Sequence, residues 1–261
     1  MTDYSNLLIG GIAGVVSRTS TNPLEIYKIQ RQNHYLKTAS LVDVWRQEGV
    51  RGMYKGNMTN CIRLFPQYGI NYFTYKSCQS SLPIESGKCL NFISAMIAGL
   101  LSIASIYPLE STRTRLSLQV NKSHYDGLCD ALTKTSVQDL YRGSRMTMIG
   151  YASFNAFHFM FYEYYKTRLE STYQFLPGGL AGLSALTVTY PSDLIRRRLQ
   201  LQGFSHDVPK YNGIMDCVQK ITRTDGVKGL YRGLLPSYLK VIPTSAIYFS
   251  VLDALSNAYR A

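Results

Sequence analysis

Pro23-Leu24-Glu25-Ile26-Tyr27-Lys28, Pro108-Leu109-Glu110-Ser111-Thr112-Arg113 and Pro191-Ser192-Asp193-Leu194-Ile195-Arg196 are three copies of one pattern, and their reading decides the fold. The prolines stand 85 and 83 residues apart, and each is followed by a second element, Tyr54-Lys55-Gly56, Tyr141-Arg142-Gly143 or Tyr231-Arg232-Gly233. Two connecting stretches add an acid-glycine pair, Glu48-Gly49 and Asp225-Gly226, where the middle copy has Thr135-Ser136. Small residues recur 13 and 9 positions before each proline: Gly10 and Gly14, Ala95 and Gly99, Gly178 and Gly182. Such a stripe lets packed membrane helices approach closely. A fixed period of this length marks a repeat architecture.

Each copy therefore predicts a long helix carrying the proline, a loop with a short amphipathic helix, and a second long helix beginning after the YKG or YRG. The long spans are 5–32, 57–79, 89–118, 144–168, 174–202 and 234–258, with short surface helices near 38–48, 126–135 and 213–223. The fold class is an all-α membrane protein of six transmembrane helices, with copies at 1–84, 85–172 and 173–261 forming one integrated domain. Simple hydropathy undercalls it, because the nearest thing to a clean apolar run is Leu90 to Tyr107. The net charge of +12 over 261 residues would ordinarily raise nucleic acid as a partner. Twenty of the 28 basic residues, however, lie in 28–56, 113–145 and 196–232, while the two connectors between copies, 77–90 and 165–176, hold three. That is the positive-inside pattern with both termini on the opposite face, and it accounts for the charge without nucleic acid. Five cysteines form no CxxC pair, and no metal cluster, nucleophile–base set or P-loop is present, so neither a metal site, a cofactor nor an enzyme is expected. His34, His124 and His206 fall in or near connecting segments. Met1 to Ser17 has no Lys or Arg, so targeting is expected to be internal.

The triple P-x-[DE]-x-x-[KR] motif with the [DE]G and Y[KR]G elements resembles the mitochondrial carrier family over almost the whole chain. Ser17-Arg18-Thr19-Ser20-Thr21-Asn22-Pro23-Leu24-Glu25 and Lys240-Val241-Ile242-Pro243 are most similar to carriers of adenine nucleotides, coenzyme A and related phosphorylated cofactors. The resemblance implies an alternating-access exchanger in the mitochondrial inner membrane, multi-pass, with the basic side facing the matrix and both termini facing the intermembrane space. A monomer is expected, with the lipid bilayer, including cardiolipin on the matrix side, as its other partner.

A residue present in all three copies serves the shared mechanism; one that breaks the symmetry is a candidate for holding an asymmetric substrate. Three-residue spacing puts motif acid and base on one helix face. The family pattern then pairs Glu25 with Arg113, Glu110 with Arg196 and Asp193 with Lys28 as a matrix gate, with Gln32 and Gln200 as braces and Ser117 in the third brace position. Twenty and 23 residues after each YKG glycine lie Lys76 and Gln79, Glu163 and Lys166, Asp253 and Ser256, from which the family rule builds no complete ion pair. A weak outer gate, and a resting state closed at the matrix gate, follow as expectations.

Arg18, Arg63 and Lys240 break the symmetry within predicted spans, where an unsolvated charge costs about 2.5–3.5 kcal/mol. They are expected to face the cavity as unpaired bases and hold a small anionic solute, phosphate suiting the arginine fork. Gln67, Asn71, Phe154 and Thr244 belong to the same helical stripe, beside which lie Tyr151 and Asn155. Gly150-Tyr151 resembles the helix 4 contact position of nucleotide carriers, glycine leaving room for a flat base against which Tyr151 or Phe154 stacks. Tyr151 and Phe154 read equally as packing aromatics, and His158 reads first as a hydrogen-bonded helix residue. A di- or tricarboxylate is the alternative solute, and a carrier-fold membrane adaptor without transport the alternative function.

Overall fold

The computed structural model describes residues 3–32, 41–82, 87–119, 125–169, 175–202 and 209–260, which leaves His34, His124, His206 and positions 38–40 of the first expected surface helix outside it. The first predicted span is two helices, α1 (Asp3–Ser20) and α2 (Asn22–Gln32). They divide at Thr21, two residues before Pro23, which supplies no N–H to the carbonyl of Thr19. A surface helix, α3 (Leu41–Met53), follows, kinked at Gly49. The second span also divides, into α4 (Asn57–Ile62) and α5 (Leu64–Ser81), because Pro66 supplies no N–H to Ile62 and the turn falls at Arg63. Then come α6 (Lys88–Leu118), α7 (Leu128–Lys134), α8 (Val137–Leu140), α9 (Ser144–Arg168), α10 (Phe175–Leu201), α11 (Ile214–Asp225), a 3₁₀ turn at Val227–Tyr231 and α12 (Leu234–Arg260). Pro108 and Pro191 sit inside unbroken helices.

The long helices form a closed ring in chain order, α12 returning to pack on α1 and α2. By length and mean hydropathy only Cys89–Leu118 and Val227–Ala258 qualify as membrane spans among the described residues. The side chains supply what hydropathy misses. Large apolar residues such as Phe73, Leu101, Ile149, Val188 and Ile242 are exposed, and none of them lines the central cavity, while Glu25, Glu110, Arg113, Arg197 and Gln200 are buried. An apolar exterior around a charged interior suits a bilayer, where backbone groups must be satisfied within each helix.

The ring is narrow at one end. The proline-bearing helices α2, α6 and α10 touch one another there, whereas none of the second helices has more than marginal contact with another. Each narrow-end seam is fastened by the glycine that starts a second helix: Gly56, Gly143 and Gly233 have φ of 75°, 83° and 90°, and each faces the end of the next copy's first helix. The carbonyl just before that glycine is also held. Tyr107 and Tyr190 of the same copy's first helix donate to the carbonyls of Arg142 and Arg232 at 2.8 and 3.0 Å, and Ser117 donates across the seam to that of Lys55 at 3.3 Å.

The [DE]G and Y[KR]G elements are also joined. Glu48 pairs with Lys55 at 2.7 Å and Asp225 with Arg232 at 3.1 Å, each seven residues on. In the middle copy Thr135 occupies the acid's place and Arg142 pairs with Asp139 at 3.0 Å. Helix α11 lies on α10 through Cys217 and Ile221 packed against Leu194, Ile195 and Leu199. Burial pushes the Cys217 thiol up to about 12. A thiol-reactive maleimide at pH 8 is therefore expected to label the exposed Cys89 and Cys129 in the folded protein and Cys217 only after unfolding, read by peptide mass mapping. Labelling of all three at one rate would contradict this packing.

Candidate substrate cavity and gates

The motif residues meet at the narrow end. Lys28 lies 2.7 Å from Asp193, which also accepts a 3.1 Å hydrogen bond from Gln32, and Arg113 lies 3.2 Å from Glu25. The third expected pair does not form. Arg196 turns back to Asp193 at 2.7 Å, one turn along its own helix, and Glu110 pairs instead with Arg197 at 3.1 Å and with Arg63. Gln200 goes with the substitute: its carbonyl oxygen accepts from Arg197 at 3.2 Å, and its amide donates to Tyr107 at 3.0 Å.

Arg63 and Lys240 are not unpaired, contrary to the expectation from sequence. Arg63 is bonded to Glu110 and donates to Asn60 at 3.3 Å; Lys240 stands 2.5 Å from Glu25. A charge withdrawn from water costs several kcal/mol unless an opposite charge compensates it, so these bases take the nearest motif carboxylates. Arg18 donates to the same Asn60 at 3.3 Å.

Around them is a cavity of about 330 Å³, lined by seven bases (Arg18, Lys28, Arg63, Arg113, Arg196, Arg197, Lys240) against two carboxylates, Glu25 and Glu110. Gln67 and Thr244 also line it; the Gln67 side-chain oxygen is buried with no protein partner, and Thr244 donates to the Lys240 carbonyl at 2.7 Å. An adjoining cavity of about 260 Å³ is more apolar, walled by Ile103, Gly150, Tyr151, Phe154 and Leu186. Asn71 and Asn155 line neither, the amide of Asn155 being spent on the Tyr151 carbonyl at 2.7 Å.

Gly150 does not leave the space expected of it: a Cβ there would sit 2.7 Å from the Ser192 hydroxyl, so the glycine serves the approach of α9 to α10. Tyr151 packs over Gly99, where a Cβ would come within 2.0 Å of its hydroxyl. Phe154 stacks on His158 with ring centroids 5.8 Å apart, and His158 approaches Gly182. Gly178, in contrast, has nothing against it, so close approach is confined to part of the small-residue stripe.

At the wide end Lys76 and Lys166 lie over Tyr72 and Tyr162 of their own helices, each 5.8 Å from the ring. Gln79 donates to Asn91 at 2.8 Å and to Tyr75 at 2.9 Å. Among the described residues no ion pair includes Lys76, Glu163, Lys166 or Asp253, and Ser256 is half-buried without meeting Glu163 in a hydrogen bond.

A family model described as mitochondrial carrier protein matches residues 1–86, 87–173 and 167–261. The chain belongs to the mitochondrial carrier family. The carrier is 32% identical to a mitochondrial adenine nucleotide transporter of Arabidopsis thaliana, covering 97% of the chain and 86% of the relative. It is 31% identical to the mitochondrial carrier protein CoAc1 of the same plant, covering 97% and 89%. With mitochondrial substrate carrier family protein P of Dictyostelium discoideum it shares 30% identity over 98% of the chain and 94% of the relative. The carrier is thus a transporter of small solutes rather than an enzyme, of a family that sits in the mitochondrial inner membrane. Its least expected central residue is Arg197. The sequence did hold a signal for it, since the position six after the proline is Ile29 and Thr114 in the other copies, so Arg197 breaks the symmetry as plainly as Arg63 does.

Proposed function

We propose that the carrier exchanges an anionic, phosphorylated solute, a nucleotide or nucleotide-like cofactor, across the inner membrane by alternating access. The observation that carries this reading is the excess of seven bases over two carboxylates lining one cavity, an excess that remains when Asp193, the partner of Lys28 and Arg196, is added to the acids. A phosphate monoester brings about −1.5 to −2 at pH 7, so a solute with two or more phosphates meets more of that excess than a dicarboxylate does. The apolar annex with Tyr151 and Phe154 gives a flat base a wall to lie on. A relative named as an adenine nucleotide transporter supports the same class.

In this reading residues 1–84, 85–172 and 173–261 serve one cavity in a monomer. The layer of Glu25, Lys28, Glu110, Arg113, Asp193 and Arg196, braced by Gln32 and Gln200, is the matrix gate, and the positions from Lys76 to Ser256 form the outer gate. The state described is closed to the matrix and open outward, with both termini in the intermembrane space. A further hollow of about 370 Å³ between the Ser144 end of α9 and the Ile214 end of α11, with Arg142 and Arg145, suits the phosphates of cardiolipin. Thermal unfolding of the detergent-purified carrier tests the solute class. Binding to the folded state alone stabilises it by RT ln(1 + [L]/Kd), about 2.7 kcal/mol at 100 Kd. ADP, ATP or coenzyme A is expected to raise the midpoint by about 5–10 °C at that saturation, and malate or citrate to leave it unchanged. A shift with carboxylates alone would overturn the phosphorylated-solute reading.

A further inference from the structure

The displaced third gate pair follows a rule that runs through all three copies. Seven residues after the YKG or YRG glycine stand Arg63, Gly150 and Lys240, and the two that carry a side chain reach the motif acid of the next copy. Arg63 takes Glu110, and Lys240 takes Glu25 at 2.5 Å. Gly150 has no side chain to offer Asp193; what lies against it is Ser192, the residue just before that acid. Asp193 is left with Lys28 and recruits Arg196 from its own helix, both at 2.7 Å. Among the described residues Arg196 pairs with Asp193 alone, and Glu110 receives nothing from it.

Arg197, the next residue and about 100° further round the helix, points to the centre of the ring. Its guanidinium lies 3.1 Å from Glu110 and 3.6 Å from Glu25, donates to Thr114 and to Gln200, and is 3% exposed. Thr114 is the second copy's own residue at the position Arg197 occupies in the third, so one copy's symmetric residue holds the other's departure in place. A planar fork reaching two carboxylates is a geometry lysine does not reproduce.

We propose that Arg197, not Arg196, is the third cross-helix base of the gate, displaced there because Gly150 leaves Asp193 to be neutralised from its own helix. Arg197 bridges the same two carboxylates that hold Arg63 and Lys240, so it ties the cavity bases of two copies to the gate. When an anion draws Arg63 away, Arg197 is the base that keeps Glu110 in the ring. The proposal rests on the layer being a gate, and the test separates the two.

The pairing is read from thermal midpoints of the purified full-length carrier at low salt without solute. Glu110→Gln and Arg197→Gln are each expected to lower the midpoint by about 5 °C, and the double variant by no more than the larger single effect. Glu110→Gln with Arg196→Gln is expected to be additive, and Asp193→Asn with Arg196→Gln to be coupled. Coupling of Glu110 to Arg196 rather than Arg197 overturns the proposal. If the glutamine variants do not fold, Arg197→Lys is expected to lower the midpoint more than Arg196→Lys, and the reverse order overturns it. Gating is read with a reporter, Ile103→Cys, in a carrier whose five native cysteines are Ser, in vesicles presenting the motif face to an impermeant maleimide. Arg197→Gln is expected to speed labelling about tenfold, the population shift equivalent to about 1.4 kcal/mol. If Lys28→Gln speeds it and Arg197→Gln does not, the gate stands and the proposal falls; if neither does, both fall.

Discussion

Arg63→Gln and Lys240→Gln are each expected to lower the initial rate of solute exchange in proteoliposomes by about 100-fold, the largest functional effect of any single change in the carrier. Truncating one partner of a buried, hydrogen-bonded charge pair costs about 2–5 kcal/mol, much of it the penalty on the charge left behind. Here the charge left behind is a motif carboxylate, Glu110 for Arg63 and Glu25 for Lys240, and each keeps a second base, Arg197 or Arg113, which places the cost at the low end of that range. On the proposed reading each substitution therefore removes a base that meets the anion and upsets the layer that closes the cavity. The two consequences separate by measurement. The solute-induced thermal shift reports the binding contribution and is expected to vanish in both variants, while the midpoint without solute reports the gate contribution and is expected to fall. Arg63→Lys keeps the charge but loses the fork, and a loss of about tenfold is expected of it. Exchange at the parent rate in either glutamine variant would remove these residues from the site.

Gly99→Ala is expected to be the most destabilising conservative change, lowering the thermal midpoint by about 5–10 °C. The added Cβ would lie 2.0 Å from the Tyr151 hydroxyl and within 2.5 Å of two ring carbons, so the ring must leave its seat between α6 and α9. Overpacking of this kind costs about 1–3 kcal/mol or more, and each kcal/mol moves the midpoint of a chain this long by about 2–4 °C. The ring has only the cavity to move into, since Tyr151 already lines both of its chambers. Solute-induced stabilisation is therefore expected to fall together with the midpoint. Gly99→Ala combined with Tyr151→Ala should recover most of the loss. Gly179→Ala, where nothing lies within 4 Å of the added carbon, should show none. An unaffected midpoint in Gly99→Ala would show that the α6–α9 contact is looser than described.

Much of this was legible in the sequence because it follows from comparing copies. The spacing of Pro23, Pro108 and Pro191 fixes three units, and helical periodicity places Glu25 with Lys28, or Asp193 with Arg196, on one face. The seven-residue spacing of Glu48 to Lys55 and of Asp225 to Arg232 is equally visible in the sequence, but helical periodicity does not predict the pairing because a kink or turn separates the partners. What periodicity does not carry is which base reaches which acid across the ring. That choice depends on neighbours contributed by other copies: Gly150 withholds a base from Asp193, Arg196 answers locally, and Glu110 is left to Arg197. The roles of Gly150 and Gly99 were hidden for the same reason. A missing side chain reads in sequence as empty space, while in the fold Ser192 and Tyr151 have already taken that space.

Alternating exchange of a phosphorylated anion through the cavity of Arg18, Arg63 and Lys240 is the central claim, and counter-exchange in proteoliposomes tests it most directly. Vesicles containing the carrier would be loaded with radiolabelled ADP and washed, and release followed after adding ADP, ATP, coenzyme A, malate or citrate outside. Label should leave only when a phosphorylated compound is outside, and should stay inside vesicles carrying Arg63→Gln. Label retained whatever phosphorylated compound is added, or released by malate or citrate instead, would contradict it.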